Sequence, residues 1–188
     1  MNTVVNRKRT RTNQPSVPDS LFPAVECQRF GRATCFLCGR RLGSQICTEE
    51  HVFPRWLQER FGLWTRRLKL LNETWIPYRQ LTIPCCVECN GTHLSALEAE
   101  VTRAVSVGPD AVARLAPHVL MLWLSKLMYG LLYKEGLLRR DRRNPCKGPI
   151  VGRGVLERFA MLHYFLQGAR LRMRFDIRLP ASIFVFSV

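Results

Sequence analysis

The sequence predicts an α+β protein: a zinc-clamped unit of two strands and a helix, then a mostly helical C-terminal part that closes on a β-hairpin. Three observations lead there. Two Cys-x-x-Cys pairs, Cys35-Phe36-Leu37-Cys38 and Cys86-Val87-Glu88-Cys89, stand far apart in the chain at the spacing of a tetrahedral metal site. Apolar residues then recur at helical period, first at Leu94, Leu97, Val101 and Ala104 and later through the run from Val119 to Tyr133. Finally the period drops to two, where Leu171, Met173, Phe175, Ile177 and Leu179 alternate with Arg170, Arg172, Arg174, Asp176 and Arg178.

In chain order, residues 1–24 read as a flexible basic arm containing Arg7-Lys8-Arg9-Thr10-Arg11. Residues 25–107 make the clamped unit. Glu26 to Cys47 suits a short hairpin bearing the first cysteine pair, with Gly39 placed where a metal-binding turn needs positive φ. A strand over Ile46 to Val52 ends near Glu50-His51, and Pro54 opens a short helix in which Trp56, Leu57 and Phe61 share a face. Gly62 to Thr74, with Arg66, Arg67 and Lys69, reads as a basic loop, and Trp75 to Cys85 as a second strand. Asn90 opens the next helix.

Residues 108–188 form the helical part. A short helix starts at Pro109-Asp110, and a longer one from Pro117 to about Tyr133 is apolar nearly all round, which makes it the expected core helix. A basic loop follows at Arg139 to Arg143. A helix over Val155 to Gln167 is closed by Gly168, and the alternating strand pairs with Ser182 to Val188. The apolar last strand is expected to be interior, or to belong to a longer chain.

A length of 188 residues suits one domain, or one small domain with an appendage, and 47% hydrophobic residues exclude a mostly disordered protein. The net charge of +15, with arginines in clusters, points to a polyanionic partner, nucleic acid first. The N-terminus has no apolar export signal, and the longest apolar run is interrupted by Ser125 and Lys126, short of the roughly 20 residues a membrane span needs. A cytoplasmic protein without a membrane partner is expected, and there Cys-x-x-Cys pairs serve metals rather than disulfides.

Cys35, Cys38, Cys86 and Cys89 are the expected structural zinc ligands, a closed set with no position left for water. Cys85 competes with Cys86, but Cys86 has the correct spacing to Cys89. Cys85 is then a buried strand residue, and Cys27, Cys47 and Cys146 are expected to be small buried apolar residues.

Chemistry is expected at His51, whose imidazole titrates near neutrality and can act as general base. Glu50 offers hard oxygen ligands for Mg²⁺ or Mn²⁺, with Glu49 as its competitor. On a regular strand Glu50 and His51 point to opposite faces, so the backbone must turn for both to serve one site. Asn90 follows Cys89 directly and is either a metal ligand or a helix N-cap. His93 shares its helical face and is a further candidate for metal or phosphate.

The order Cys-x-x-Cys, Glu50-His51-Val52-Phe53-Pro54, Cys86-Val87-Glu88-Cys89-Asn90 resembles the HNH endonucleases of the ββα-metal class, in their zinc-containing branch. With Arg55-Trp56-Leu57 and Leu94-Ser95-Ala96-Leu97-Glu98 it is also similar to a group of bacterial HNH proteins; the likeness spans about residues 30–105. It implies hydrolysis of DNA phosphodiesters, with His51 as base, Glu50 and Asn90 on one Mg²⁺ or Mn²⁺, and the four cysteines on zinc. A role as effector of a bacterial defence system is a further implication. The family usually has Asp where Glu50 stands, and many members carry an Asn on the second strand. Here that strand reads Arg79-Gln80-Leu81-Thr82, so orienting the histidine falls to a backbone carbonyl or to Gln80.

Two rival readings use the same residues. One is a non-catalytic zinc module that binds nucleic acid through its basic surface. The other is an interaction protein whose basic strands dock an acidic partner or a larger complex, with a protein partner or a second copy of the chain held through the C-terminal region.

Overall fold

The computed structural model describes residues 20–24 and 30–171. Strand β1 (Cys47–His51) pairs antiparallel with β4 (Thr82–Cys86), with Cys47 opposite Cys86, Glu50 opposite Ile83 and His51 opposite Thr82. Between them lie α1 (Arg55–Arg60) and a small hairpin of β2 (Arg67–Lys69) and β3 (Trp75–Pro77). After β4 the chain turns through a π-helical segment, Cys89–Leu94, into α2 (Ser95–Val107), followed by α3 (Pro109–Ala113), α4 (Pro117–Gly136), α5 (Arg153–Arg158) and α6 (Ala160–Leu171).

The expected helices at Pro54, Pro109 and Pro117 form where a proline can occupy a helix start without losing a hydrogen bond. α2 buries Leu97, Val101 and Ala104, the stripe read from the sequence. α4 is the central helix. At Gly130 a Cβ would lie 3.4 Å from the side chains of Ile83 and Val52, so the absent side chain lets α4 approach the end of β1 and the middle of β4. One buried cluster runs from Cys35 and Phe36 through Val52, Ile83 and Val101 to Tyr129, Tyr133 and Leu166. The boundary drawn near residue 107 is therefore crossed by a continuous core.

Several elements differ from expectation. The single strand over Trp75 to Cys85 is two strands, separated by a 3-10 turn at Tyr78–Gln80. Pro77, with φ −60° and no N–H to donate, ends the first strand. The basic loop holds β2, whose Leu68 lies opposite Ile76. Gly168 does not close the last helix. It is buried within α6, and contacts beyond it carry the helix past a glycine cost of about 1 kcal/mol. Arg170 Nη2 donates to the Ser20 carbonyl at 2.5 Å and to Gln167 Oε1 at 2.9 Å.

Arg170 and Leu171 thus lie in α6 rather than beginning a strand with one buried and one arginine-rich face. The rest of that strand and its partner over 182–188 lie outside the described residues. Within the predicted arm, Phe22 and Ala24 are buried. The backbone N–H and carbonyl of Phe22 bond Gln167 Oε1 at 2.6 Å and Gln167 Nε2 at 2.9 Å. Cys47 and Cys146 are exposed, against the expectation of burial, because β1 starts at the surface and Cys146 lies in a short 3-10 turn. Cys27 lies outside the described residues. None of the described helices is long and apolar enough to cross a membrane.

Candidate functional site

The site is built on two cysteine knuckles. In the first, Cys35 N–H donates to the Arg40 carbonyl and Gly39 N–H to the Cys35 carbonyl, both at 2.9 Å. Gly39 has φ +69°, as the turn required, and a Cβ there would fall 2.2 Å from the Phe22 ring. In the second knuckle Cys89 N–H points at Cys86 Sγ, 3.5 Å away.

The knuckles meet. The sulfurs of Cys35, Cys38, Cys86 and Cys89 lie within 4.8 Å of one another, and all four residues are buried. Cys38 and Cys86 sulfurs are 3.8 Å apart, about the edge of a tetrahedron with Zn–S bonds near 2.3 Å. The donor set can hold a metal ion such as zinc. Cys85 Sγ comes within 3.9 Å of Cys35 Sγ but lies outside the four-sulfur group. Donation from the other thiols, Cys38 first, holds Cys35 far below the ordinary thiol range.

Beside the cluster a cavity of about 390 Å³ is lined by Glu49, Glu50, His51, Pro54, Arg55, Trp56, Asn90 and Glu98. It joins the end of β1, the start of α1, the π-helical segment and the first turn of α2. Asn90 does not cap a helix, since the helical backbone already runs through Glu88. Its Nδ2 donates to Thr48 Oγ1 at 3.0 Å and to the Glu49 carbonyl at 3.4 Å, and Thr48 Oγ1 donates to the Cys85 carbonyl at 3.0 Å. A carbonyl can only accept, so the amide nitrogen must face Glu49, which leaves Oδ1 as the atom available to a cation.

β1 stays regular through His51, so Glu50 points inward and His51 toward the other face. Both nevertheless line the cavity, which wraps round the strand end. His51 is half-buried, and its Nδ1 is enclosed with no hydrogen-bond partner among the described residues. Burial pushes its pKa down, helped by Arg55 and Lys126 and opposed by Glu49. The Trp64 ring lies 6.3 Å from the imidazole, and the Arg55 guanidinium sits over that indole at 5.4 Å. Gln80 is exposed and lines a different groove with Trp75 and Arg139, so it does not orient His51.

Glu50 is 6% exposed and ion-paired with Lys126, whose ammonium also binds Glu98 and donates to the His51 carbonyl at 2.7 Å. Burial pushes the Glu50 carboxyl up to about 7, against the pull of Lys126, with Glu98 adding to the rise. Glu49 is exposed and accepts from Thr82 Oγ1 at 2.6 Å. His93 is half-buried on the π-helical segment and is not among the residues lining the cavity.

Sequence reasoning missed three contributors. Lys126 and Glu98 complete the charge cluster. His163, buried on α6, bonds the Phe36 carbonyl through Nε2 at 2.7 Å and so braces the first knuckle from behind. A polar residue inside an apolar helical run was the signal for Lys126, and Glu98 stood in the quoted Leu97-Glu98 phrase; nothing marked His163. Compared with protein-family models, with curated proteins and with solved structures, the chain matches none.

Proposed function

We propose that this chain is a metal-dependent phosphodiester hydrolase of the HNH type acting on DNA. The observation that supports it most is the single cavity in which Glu50, His51 and Asn90, drawn from two distant stretches, lie together beside the cysteine cluster. In this reading the four cysteines bind zinc and serve only to join the stretches, since a closed thiolate set leaves no site for water.

His51 performs the proton transfer. Burial and two nearby cations keep its imidazole neutral near physiological pH, so it can take a proton from a water at the scissile phosphorus. Arg55, exposed at the mouth of the cavity, draws the phosphate in and faces it toward the imidazole. Hard oxygens of Glu50 and Asn90 are the donors suited to Mg²⁺ or Mn²⁺, which when bound would stabilise charge on the phosphate and the leaving 3′-oxygen. Exposed Arg66, Arg67, Arg139, Arg142 and Arg143 can meet flanking phosphates, contacts that give affinity with little sequence choice. An effector role in bacterial defence suits a nuclease of this kind and rests on the resemblance alone.

One observation favours the non-catalytic reading. The Glu50 carboxylate already has a cation in Lys126, so the fold is electrostatically satisfied without a divalent ion. A plasmid-nicking assay in Mg²⁺ or Mn²⁺ separates the two. The wild-type protein should nick, and His51→Ala should be slower by at least about 100-fold at unchanged zinc content and circular dichroism. Equal digestion by both removes His51 as base. Salt-sensitive binding with no cleavage in any divalent ion establishes the binding module instead.

A further inference from the structure

Lys126 has no exposed side-chain surface and stands in the middle of the core helix α4. A buried ammonium persists only where it is paired and hydrogen-bonded. Its Nζ has three protons to place, and three acceptors receive them: Glu50 Oε1, Glu98 Oε1 and the His51 carbonyl. Two of these residues belong to the proposed catalytic trio, and Glu98 lines the same cavity.

We infer that Lys126 is the resident cation of this site, a positioning residue that holds Glu50, Glu98 and the end of β1 together and sets how weakly a divalent ion binds there. The inference rests on the reading that the divalent ion belongs to Glu50 and Asn90. With Glu50 ionised, as a metal ligand must be, two carboxylates and one ammonium leave a single net negative charge for an incoming ion. That ion must also approach an ammonium bound to the same carboxylate, and in a partly desolvated site this repulsion is only weakly screened. Without Lys126, Glu50 and Glu98 repel each other in the metal-free protein until a divalent ion replaces it.

The test uses full-length, zinc-loaded protein and Mn²⁺, which thiolates bind poorly, followed by thermal melting and by the electron-spin resonance of free Mn²⁺. Lys126→Met keeps the length of the side chain and removes its charge. It should melt lower than wild type without Mn²⁺, gain more in Tm on Mn²⁺ addition, and be half-saturated at a Mn²⁺ concentration at least about ten-fold lower. Lys126→Arg, which retains the charge, should keep the wild-type midpoint. If the Met variant does not fold, Lys126→Gln, still able to donate to a carboxylate, gives the same readout.

An unmoved Mn²⁺ midpoint in the neutral variant overturns the inference, even if Tm drops. The two failures are separable. Mn²⁺ binding that tightens in the neutral variant, with no plasmid cleavage by wild type, ends the nuclease reading and leaves the role of Lys126 standing. Cleavage by wild type with an unmoved midpoint does the reverse.

Discussion

His163 gives the fold around the cysteine cluster an acid sensitivity of its own. The Phe36 carbonyl can only accept, so Nε2 carries the proton, and Nδ1 is left to accept from Gln167 Nε2 at 3.4 Å. The ring stacks on Tyr129 at 4.8 Å, and burial lowers its pKa from 6.5 to about 4, against the pull of the Phe36 carbonyl. As pH falls from 6.5 toward 4, the unfolded chain takes up a proton that the folded chain refuses. The contribution of His163 to stability should therefore drop by about 3 kcal/mol across that window. Glu50 acts in the opposite sense. Its folded value of about 7 lies above the ordinary 4.5, so in the metal-free protein its contribution to stability falls as pH rises between them. Urea melts of wild type and His163→Gln from pH 4 to 7 isolate the histidine, since the stability of wild type relative to the variant should fall by about 3 kcal/mol from pH 6.5 to 4. That Glu50, His51 and Asn90 come to line one cavity was legible in the sequence, because adjacency and the cysteine spacing bring them together. His163 and Lys126 were not, because their partners lie 127 residues away at Phe36 and 75 away at His51.

At the scale of elements, the cysteine knuckles were legible and the short strands were not. Cys-x-x-Cys encodes its own geometry, since two sulfurs at that spacing can reach one ion. Strands of three residues, such as Arg67–Lys69 and Trp75–Pro77, are too short to display a period of two, and Pro77 masked the break before Thr82. Gly168 misled in the other direction, because a glycine that stops an isolated helix is tolerated where tertiary contacts hold both sides. The competing cysteines give a sharp prediction. Cys86→Ser should lose the bound zinc and, with it, the cooperative thermal transition, because metal binding supplies on the order of 10 kcal/mol to small zinc modules. Cys85→Ser, at a residue outside the four-sulfur group, should retain about one zinc per chain by elemental analysis. Retention of zinc by the first variant and its loss from the second would exchange the two ligands.

At the scale of the whole molecule, the charge and the core make separate statements. The core joins both halves through α4, whose Lys126 and Lys134 donate to the His51 and Thr82 carbonyls at 2.7 and 2.8 Å, opposite one another in the β1–β4 pair. Composition could not foretell this, because an apolar helix reads the same whether it packs on its neighbours or on a distant sheet. The charge of +15 was legible at once, and under the proposed function it sets how DNA would be met. That proposal, with contacts to about six phosphates, predicts that DNA affinity falls about 1,000-fold between 50 and 200 mM salt, measurable by fluorescence anisotropy with a labelled oligonucleotide. A flat salt profile would assign the charge to solubility or to a protein partner. The central claim, that the cysteine clamp assembles a second cation site from Glu50, His51 and Asn90, is tested most directly by anomalous diffraction from a Mn²⁺-soaked crystal. It predicts a manganese peak within coordination distance of Glu50 and Asn90 and close to His51. A cavity without manganese, or manganese confined to other surfaces, would contradict it.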